Sequence, residues 1–431
     1  MLDLAERLRT SLSRRLLAAS FVVATTGAVA CEDAADDDVP VAPAPPSRHA
    51  ALREALTTDA RQLGFADGDW LEDLGDAPFF GLAWLSRRAE AGPLPVEDRA
   101  RLDASLARAK VLLASNLLEG DLQEKVMAAL GVIEHVAAAG ARRDPADVAA
   151  VDEFLDRLDH LVGGLGDYLA GVEDASWAVR TYGPTAVTAL VALVHAQYAF
   201  LIDNERAVER QERAVALEQT ITDRALSDLA DAATGRSVRG YAIGPGRAGI
   251  ELYPNVSMMI LEARLFRLTR NETYRLQARA LYAAIQPLKL SDAPARYASP
   301  YAAESLKAKS REVATLSSQN YLALGLTLLF EITGDTKFSD EADRVLDGIE
   351  AMRGPWCLAQ VEYTTCAPKC GAGQACVSSA CTGDRCSTGL LHHVVDGRLA
   401  NPTDATVFCS GCNLQALYVI GYRRALAGEP F

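Results

Sequence analysis

Cysteine is missing from the whole stretch between Cys31 and Cys357, aromatic residues make up 6% of the 431, and histidine occurs six times. A basic surplus is missing too: 43 Lys and Arg stand against 57 Asp and Glu, a formal charge of −14. Nucleic-acid binders normally carry the opposite balance or a clear basic stripe, so that class is excluded. The most apolar internal segment, 185–202, contains His195 and Gln197 and has acidic flanks, which argues against a membrane span. Apolar residues are abundant at 49%, with 23% charged, enough to bury a sizeable core. Leucine and alanine dominate long helical stretches, so the chain reads as all-α.

The N-terminus reads as an address. Arg7, Arg9, Arg14 and Arg15 precede the apolar run LLAASFVVATTGAVA at 16–30. A charged start and a short apolar stretch make an export signal. Small residues then meet Cys31, which resembles a bacterial lipobox, whose cysteine is lipidated and becomes the new N-terminus. The usual leucine three residues earlier is Ala28 here, and Ala28-Val29-Ala30 also suits ordinary signal peptidase. Cysteine arithmetic favours lipidation. Without Cys31 eight cysteines remain, an even set clustered between Cys357 and Cys412. The expected organisation is a signal peptide at 1–30, an acidic Pro/Ala-rich tether at 31–47, and one domain at 48–431 with a Cys-rich insertion at 353–411. Cleavage removes four arginines and two acids and leaves 39 basic against 55 acidic groups. The expected location is the bacterial cell envelope, outer membrane or cell surface, where the lipid anchors a monomer to the membrane.

From residue 48 the pattern is helical and repeats. Residues 258–285 align with 322–349 at an offset of 64: Leu265 with Leu329, Phe266 with Phe330, Thr269 with Thr333, Tyr274 with Phe338, Ala278 with Ala342. Each unit is helix, tight turn, helix, an αα-hairpin. One helix of each pair is apolar nearly all round and belongs inside; the other is amphipathic and has a wet face. Inner helices are expected near 79–90, 122–139, 185–202, 254–269, 317–333 and 412–427. Outer helices are expected near 48–63, 96–116, 145–163, 206–230, 273–288 and 337–352. The first outer helix has no inner helix before it and the last inner helix no outer helix after it, so pairing those two closes a ring. Inner-to-outer turns are short. Outer-to-inner connections are mostly long, at 64–78, 164–184, 231–253, 289–316 and 353–411, and long loops in a compact domain usually carry function. They share one face with the N-termini of the inner helices, whose free N–H groups favour anionic ligands.

With its apolar and charged hairpins and phrases such as SSQNYLALGLTLLFEITGD (317–335), the chain resembles the six-hairpin glycosidase superfamily of α/α toroids. That superfamily includes unsaturated glucuronyl hydrolases and bacterial α-mannanases. The resemblance covers roughly 48–431 in architecture and implies a carbohydrate-active protein with its cleft at the long-loop face. The paired Asp of the mannanases is absent from the first inner helix, FFGLAWLSRRA, so no catalytic residue is carried over.

The long loops supply the candidate chemistry. Loop 64–78 holds five acids around Trp70, a stacking platform for sugar; a solvated acidic loop with capping carboxylates accounts for it better, and its spacing is not that of an EF-hand. Loop 164–184 combines Asp174, Trp177, Arg180 and Tyr182. Glycoside hydrolysis needs two carboxylates, aromatic rings stack on sugars, and arginine binds a uronate carboxylate in two-pronged fashion. Loop 231–253 adds Arg239, Tyr241, Glu251 and Tyr253, and its GPGRAG phrase follows no strand, which removes a nucleotide reading. Loop 289–316 adds Tyr301, with Ser317 or Ser318 as a helix N-cap rather than a nucleophile. Asp174 and Glu251 are the expected acid/base pair. Trp70, Trp177, Arg180, Tyr182, Arg239, Tyr241, Tyr253 and Tyr301 are the expected binding residues.

The last connection holds Cys357, Cys366, Cys370, Cys376, Cys381 and Cys386, then Cys409 and Cys412 in a CxxC. In an exported protein the first reading is four structural disulfides, with 105 possible connectivities. Zinc or redox chemistry at Cys409 and Cys412 is the weaker alternative. His392 and His393 precede Asp396-Gly397; they suit acid/base assistance near neutral pH, on a β-hairpin, LLHHVVDGRLA, turning at Asp396-Gly397. No cofactor or metal is called for. Two functions compete: a surface protein that binds an acidic polysaccharide and, if its carboxylates converge, hydrolyses it, and a non-catalytic lipoprotein that binds a protein or glycan partner. Convergence of two carboxylates about 5–9.5 Å apart discriminates them.

Overall fold

The computed structural model describes residues 77–117, 122–163, 179–230, 237–245, 250–299, 313–353 and 410–431, with short pieces at 49–57, at 119 and between 356 and 396. The inner helices are α1 (Ala77–Ala91), α3 (Leu122–Ala139), α5 (Val179–Leu201), α7 (Leu252–Thr269), α9 (Leu316–Thr333) and α11 (Ser410–Leu426). The outer helices are α2 (Val96–Ala114), α4 (Pro145–Gly163), α6 (Ala207–Ala225), α8 (Glu272–Ile285) and α10 (Thr336–Glu350).

The inner helices form a closed ring. In chain order α1 packs on α3, α3 on α5, α5 on α7, α7 on α9 and α9 on α11; α11 then packs on α1. The reason lies in the sequence. Nearly every residue of α7 and α9 is buried, and such helices need neighbours on several sides. The N-terminal segment supplies the missing outer position. Leu52 and Leu56 are fully buried, His49 lies 3.7 Å from Asp347 of α10, and Arg53 feels the charges of Arg424 and Arg88 from α11 and α1. The fold is thus an α/α toroid closed between its two chain ends. The apolar segment Gly183–Leu201, long enough to cross a membrane by composition, is 78% buried as one wall of this ring.

The 64-residue repeat extends to single hydrogen bonds. Asn271 caps α8 through Thr273 N at 3.1 Å, and Asp335 caps α10 through Lys337 N at 3.2 Å. Thr269 and Thr333 each accept from the capping residue's N–H at 3.2 Å. One position differs: the left-handed residue after α9 is Gly334 (φ 67°), but after α7 it is Arg270 (φ 60°). A side chain there is strained, and glycine is not. Arg270→Gly is therefore expected to raise stability by about 1 kcal/mol, read as a higher midpoint in urea.

Several sequence expectations are corrected. The outer helix expected to run to 230 stops at Ala225. Residues Leu226–Ala230 form β1, antiparallel to β2 (Ser237–Tyr241). Loop 289–316 contains a second hairpin, β3 (Lys289–Asp292) with β4 (Ala295–Tyr297). The stretch before Gly183, expected as loop, is helical from Val179; Gly183 then sits at φ 80° and breaks the helix before Pro184. A Cβ there would strike Ile243, whose carbonyl accepts from Thr185 N at 3.2 Å, so the glycine admits the loop after β2. Ser317 and Ser318 lie inside the first turn of α9; the N-cap is Thr315, whose hydroxyl donates to Ser318 Oγ at 2.9 Å. Val394–Asp396 (β10) pairs antiparallel with β5 (Val313–Thr315), while the turn and far side of the hairpin expected at Asp396-Gly397 lie outside the described residues.

In the Cys-rich connection, β6 (Trp356–Cys357) pairs with β9 (Cys386–Ser387), and β7 (Gln374–Val377) with β8 (Ala380–Gly383). Residues 1–47, the signal peptide, Cys31 and the tether included, lie outside the described residues, as do Cys366, Cys370 and Cys409.

Candidate functional site in the toroid lumen

Two layers of side chains fill the centre of the ring. The upper layer, toward the long loops, is aromatic. Phe80 of α1, Tyr253 of α7, Tyr321 of α9 and Tyr418 of α11 meet edge-on or tilted, with Tyr253 and Tyr321 5.0 Å apart and Phe80 and Tyr321 6.4 Å apart. The Tyr321 hydroxyl donates to Met127 Sδ of α3, at 3.4 Å. Helices α9 and α3 stand opposite each other in the ring, so this contact crosses the lumen.

The lower layer, four or five residues before most inner-helix C-termini, is polar and runs around the ring. Arg87 donates to Glu134 at 2.6 Å, and Gln197 donates to the other oxygen of Glu134 at 2.6 Å. Arg267 pairs with Glu331, which accepts from Tyr422 at 2.9 Å. The Arg264 guanidinium lies over the rings of Phe200 and Tyr422, at 5.8 and 5.6 Å. Burial pulls the Arg264 pKa down, but Tyr422, Glu331, Tyr418 and Glu134 override it and the net shift is upward. Each inner helix contributes to this belt. It fills the short-turn end of the ring centre with paired charges.

Polar side chains at the N-terminal ends of the inner helices hold those loops. Asn255 accepts from Tyr241 N at 2.8 Å and donates to Tyr241 O at 3.0 Å and Glu251 O at 2.8 Å. One repeat later Gln319 accepts from Tyr297 N at 3.1 Å and donates to Tyr297 O at 2.9 Å. Each amide thus acts as a missing strand partner for the hairpin above it. Asn255→Ala leaves two backbone groups of Tyr241 unsatisfied in a buried setting and is expected to cost about 1–3 kcal/mol. Faster amide exchange at Tyr241 than at Tyr297 checks it.

The expected binding residues fall in different places. Arg239 is 65% exposed on β2, with Asp228 3.5 Å away across the hairpin. Glu251 occupies the N-cap position of α7 and is half-buried. Tyr253, 5% exposed, lies in the central aromatic layer rather than on a rim platform. Tyr241 is a correction: 1% exposed, it points into the wall, its hydroxyl 2.7 Å from Thr222 Oγ1 and 3.4 Å from Glu262. Residues 239 and 241 share a face of β2, but Tyr241 sits at the end of the hairpin that meets α6 and α7, while Arg239 lies nearer the tip; the loop reading missed the strand. Arg180 and Tyr182 lie on α5, and their side chains are outside the described residues, as are Trp70, Asp174, Trp177, Tyr301, His392 and His393 altogether. Cys412 is buried in the first turn of α11 and disulfide-bonded, which leaves it no free thiolate for zinc or thiol catalysis. For Cys357, Cys376, Cys381 and Cys386 the backbone alone is described: strand register sets Cys357 opposite Cys386 and Cys376 opposite Cys381.

Sequence reasoning missed the belt, Tyr321 and the two amides. A signal existed: a charged or amide residue inside an otherwise apolar helix, as at Glu134, Gln197, Asn255 and Gln319, asks for a buried partner.

No family model matches the chain, and no curated protein does. Solved structures do. A D-mannose isomerase aligns with a TM-score of 0.55 and 9% identity over 87% of this chain and 99% of its own. Cellobiose 2-epimerase from Bacillus thermoamylovorans aligns with a TM-score of 0.53 and 9% identity over 86% of this chain and 98% of its own. Cellobiose 2-epimerase from Spirochaeta thermophila gives 0.50 and 11%, over 88% and 99%. At this identity the likeness establishes the fold alone: the chain folds as an α/α toroid of the six-hairpin kind.

Proposed function

We infer that this protein is a carbohydrate-binding toroid that holds an acidic glycan chain over the aromatic layer at its centre, and that it is a lipid-anchored protein of the bacterial cell envelope. The observation that supports the glycan reading is the closed ring with an aromatic layer toward its inner-helix N-termini. The polar belt lies at the short-turn end of the ring centre, and the aromatic layer of Tyr253 and Tyr321 lies toward the inner-helix N-termini. Positive helix ends and the exposed Arg239 favour carboxylated sugars, and aromatic faces suit sugar rings. The toroids of similar fold are named for mannose and cellobiose; at 9–11% identity they support the scaffold, not a substrate.

Glu251 at the head of α7 and Asp174 in the preceding long loop are the proposed acid and base, with His392 or His393 assisting. Trp70, Trp177, Arg180, Tyr182, Arg239 and Tyr301 are the proposed contacts to the chain. A surface protein that binds glycan without cleaving it is the second reading. Equilibrium binding of uronate-containing and neutral oligosaccharides to the full chain tests the shared part. Preference for the uronates, weakened several-fold by Arg239→Ala, supports it. Equal or absent binding of both overturns it. For the anchor, the test is mass spectrometry of the native N-terminus: diacylglyceryl-Cys31 supports it, and an unmodified N-terminus after Ala30 contradicts it.

A further inference from the structure

A pocket lies on the short-turn face, away from the aromatic layer at the ring centre. It measures about 570 Å³, within the usual size of small-molecule sites. Its walls come from the C-terminal ends of α1 and α3 and the start of α2. Leu94, Leu102, Ala138 and Ala139 make an apolar floor. Three nitrogen-bearing side chains, Arg99, Arg142 and His135, face the same space. The one lining carboxylate, Glu90, is already paired with Arg87 at 3.1 Å. Two helix C-termini point their carbonyls this way, but each carries about half a charge, less than two guanidinium groups together.

Ser86, buried at the base, lies 2.9 Å from His135 Nδ1. That contact fixes the imidazole and leaves Nε2 as its other polar atom. Burial lowers the His135 pKa; Asp147 and Asp103 raise it, and Lys110 and Arg99 lower it. Burial, the largest of these, disfavours the charged imidazole, and an incoming anion would favour it.

We propose that this pocket binds a small organic anion with an apolar body, its carboxylate held by Arg99, Arg142 and His135 and its body seated on Leu94 and Leu102. The site is independent of the glycan reading, since it lies on the opposite face and shares no residue with it. The probes are benzoate and octanoate, with inorganic phosphate as the control that has the charge but no apolar body. Binding to the full chain is followed by calorimetry and by the imidazole NMR signal that His135→Gln removes. The expected result is saturable benzoate or octanoate binding at least tenfold tighter than phosphate, with an upward shift of the His135 pKa on binding. Arg99→Gln/Arg142→Gln is expected to weaken binding about tenfold or more; both side chains are exposed, so folding is not at stake. Absence of saturable binding, phosphate binding as tight as benzoate, or an unchanged affinity in the double variant would overturn the proposal.

Discussion

Glu134→Ala is expected to destabilise the protein by roughly 3–5 kcal/mol, the cost of breaking a buried ion pair on one side. Glu134 is 3% exposed and holds two neighbours at once: Arg87 through Nε at 3.0 Å and Nη2 at 2.6 Å, and Gln197 at 2.6 Å. These bonds tie α1, α3 and α5 into one arc of the ring. Burial pulls the Arg87 pKa down, yet Glu134 more than offsets it and the guanidinium stays charged. Without Glu134 that charge has only the exposed Glu90, and the Gln197 amide loses its acceptor. Urea unfolding reads the loss as a lower midpoint. Glu134→Gln, which keeps the shape and one acceptor, is expected to fall between. A loss under about 1 kcal/mol in Glu134→Ala would mean that the belt contributes little to ring closure.

Glu262→Gln has the opposite sign and depends on pH. Glu262 of α7 and Glu218 of α6 are hydrogen-bonded to each other in the wall between inner and outer helices. Burial, the Glu218 charge and the bond to Glu218 push the Glu262 pKa well above the ordinary value; burial chiefly raises that of Glu218 as well. Burial likewise pushes Tyr241 up, so its hydroxyl stays a donor to Glu262. A carboxyl whose folded pKa is raised binds a proton that the unfolded chain releases. The stability it contributes is complete below the ordinary glutamate pKa and is lost as pH rises toward the folded value. The slope is about 1.4 kcal/mol per pH unit for one proton. The glutamine variant needs no proton, so its stability should decline less between pH 5 and pH 8. It should match or trail the parent at pH 4.5 and exceed it at pH 8. Parallel stability curves for the two proteins would show that the pair is not protonated in the fold.

The ring itself was legible because each helix announces its side. The all-apolar YLALGLTLLFEI and the charged KFSDEADRVLDGIEAM differ in composition, not merely in period, and the expected boundaries of α3, α7, α9 and α10 agree with the structure within two residues. Left-handed Arg270 and Gly334 end α7 and α9, and Asp335 caps the start of α10, so these boundaries are set locally. The hairpins were not legible for the converse reason. Leu226–Ala230 continues the helical pattern of α6, and nothing local stops it; pairing with Ser237–Tyr241 wins because Asn255 offers the strand a buried partner from another element. Tyr241 moved from rim to wall on that account. Tyr321 and Glu134 went unnoticed because their roles depend on helices standing opposite or beside them in the ring, which no window along the chain contains. Glu251, read from sequence as part of the loop 231–253, occupies the N-cap position of α7 because that helix starts two residues earlier than expected.

The account turns on whether the long-loop face processes glycan. The direct measurement is mass spectrometry of products after incubating the oxidised full chain with uronate-containing, mannose-containing and peptidoglycan-type glycans. New oligosaccharides from the uronate set, lost in Glu251→Gln and in Asp174→Asn while both variants stay folded, are the predicted result. Absence of product and of saturable binding for every glycan, with the parent folded, would contradict it.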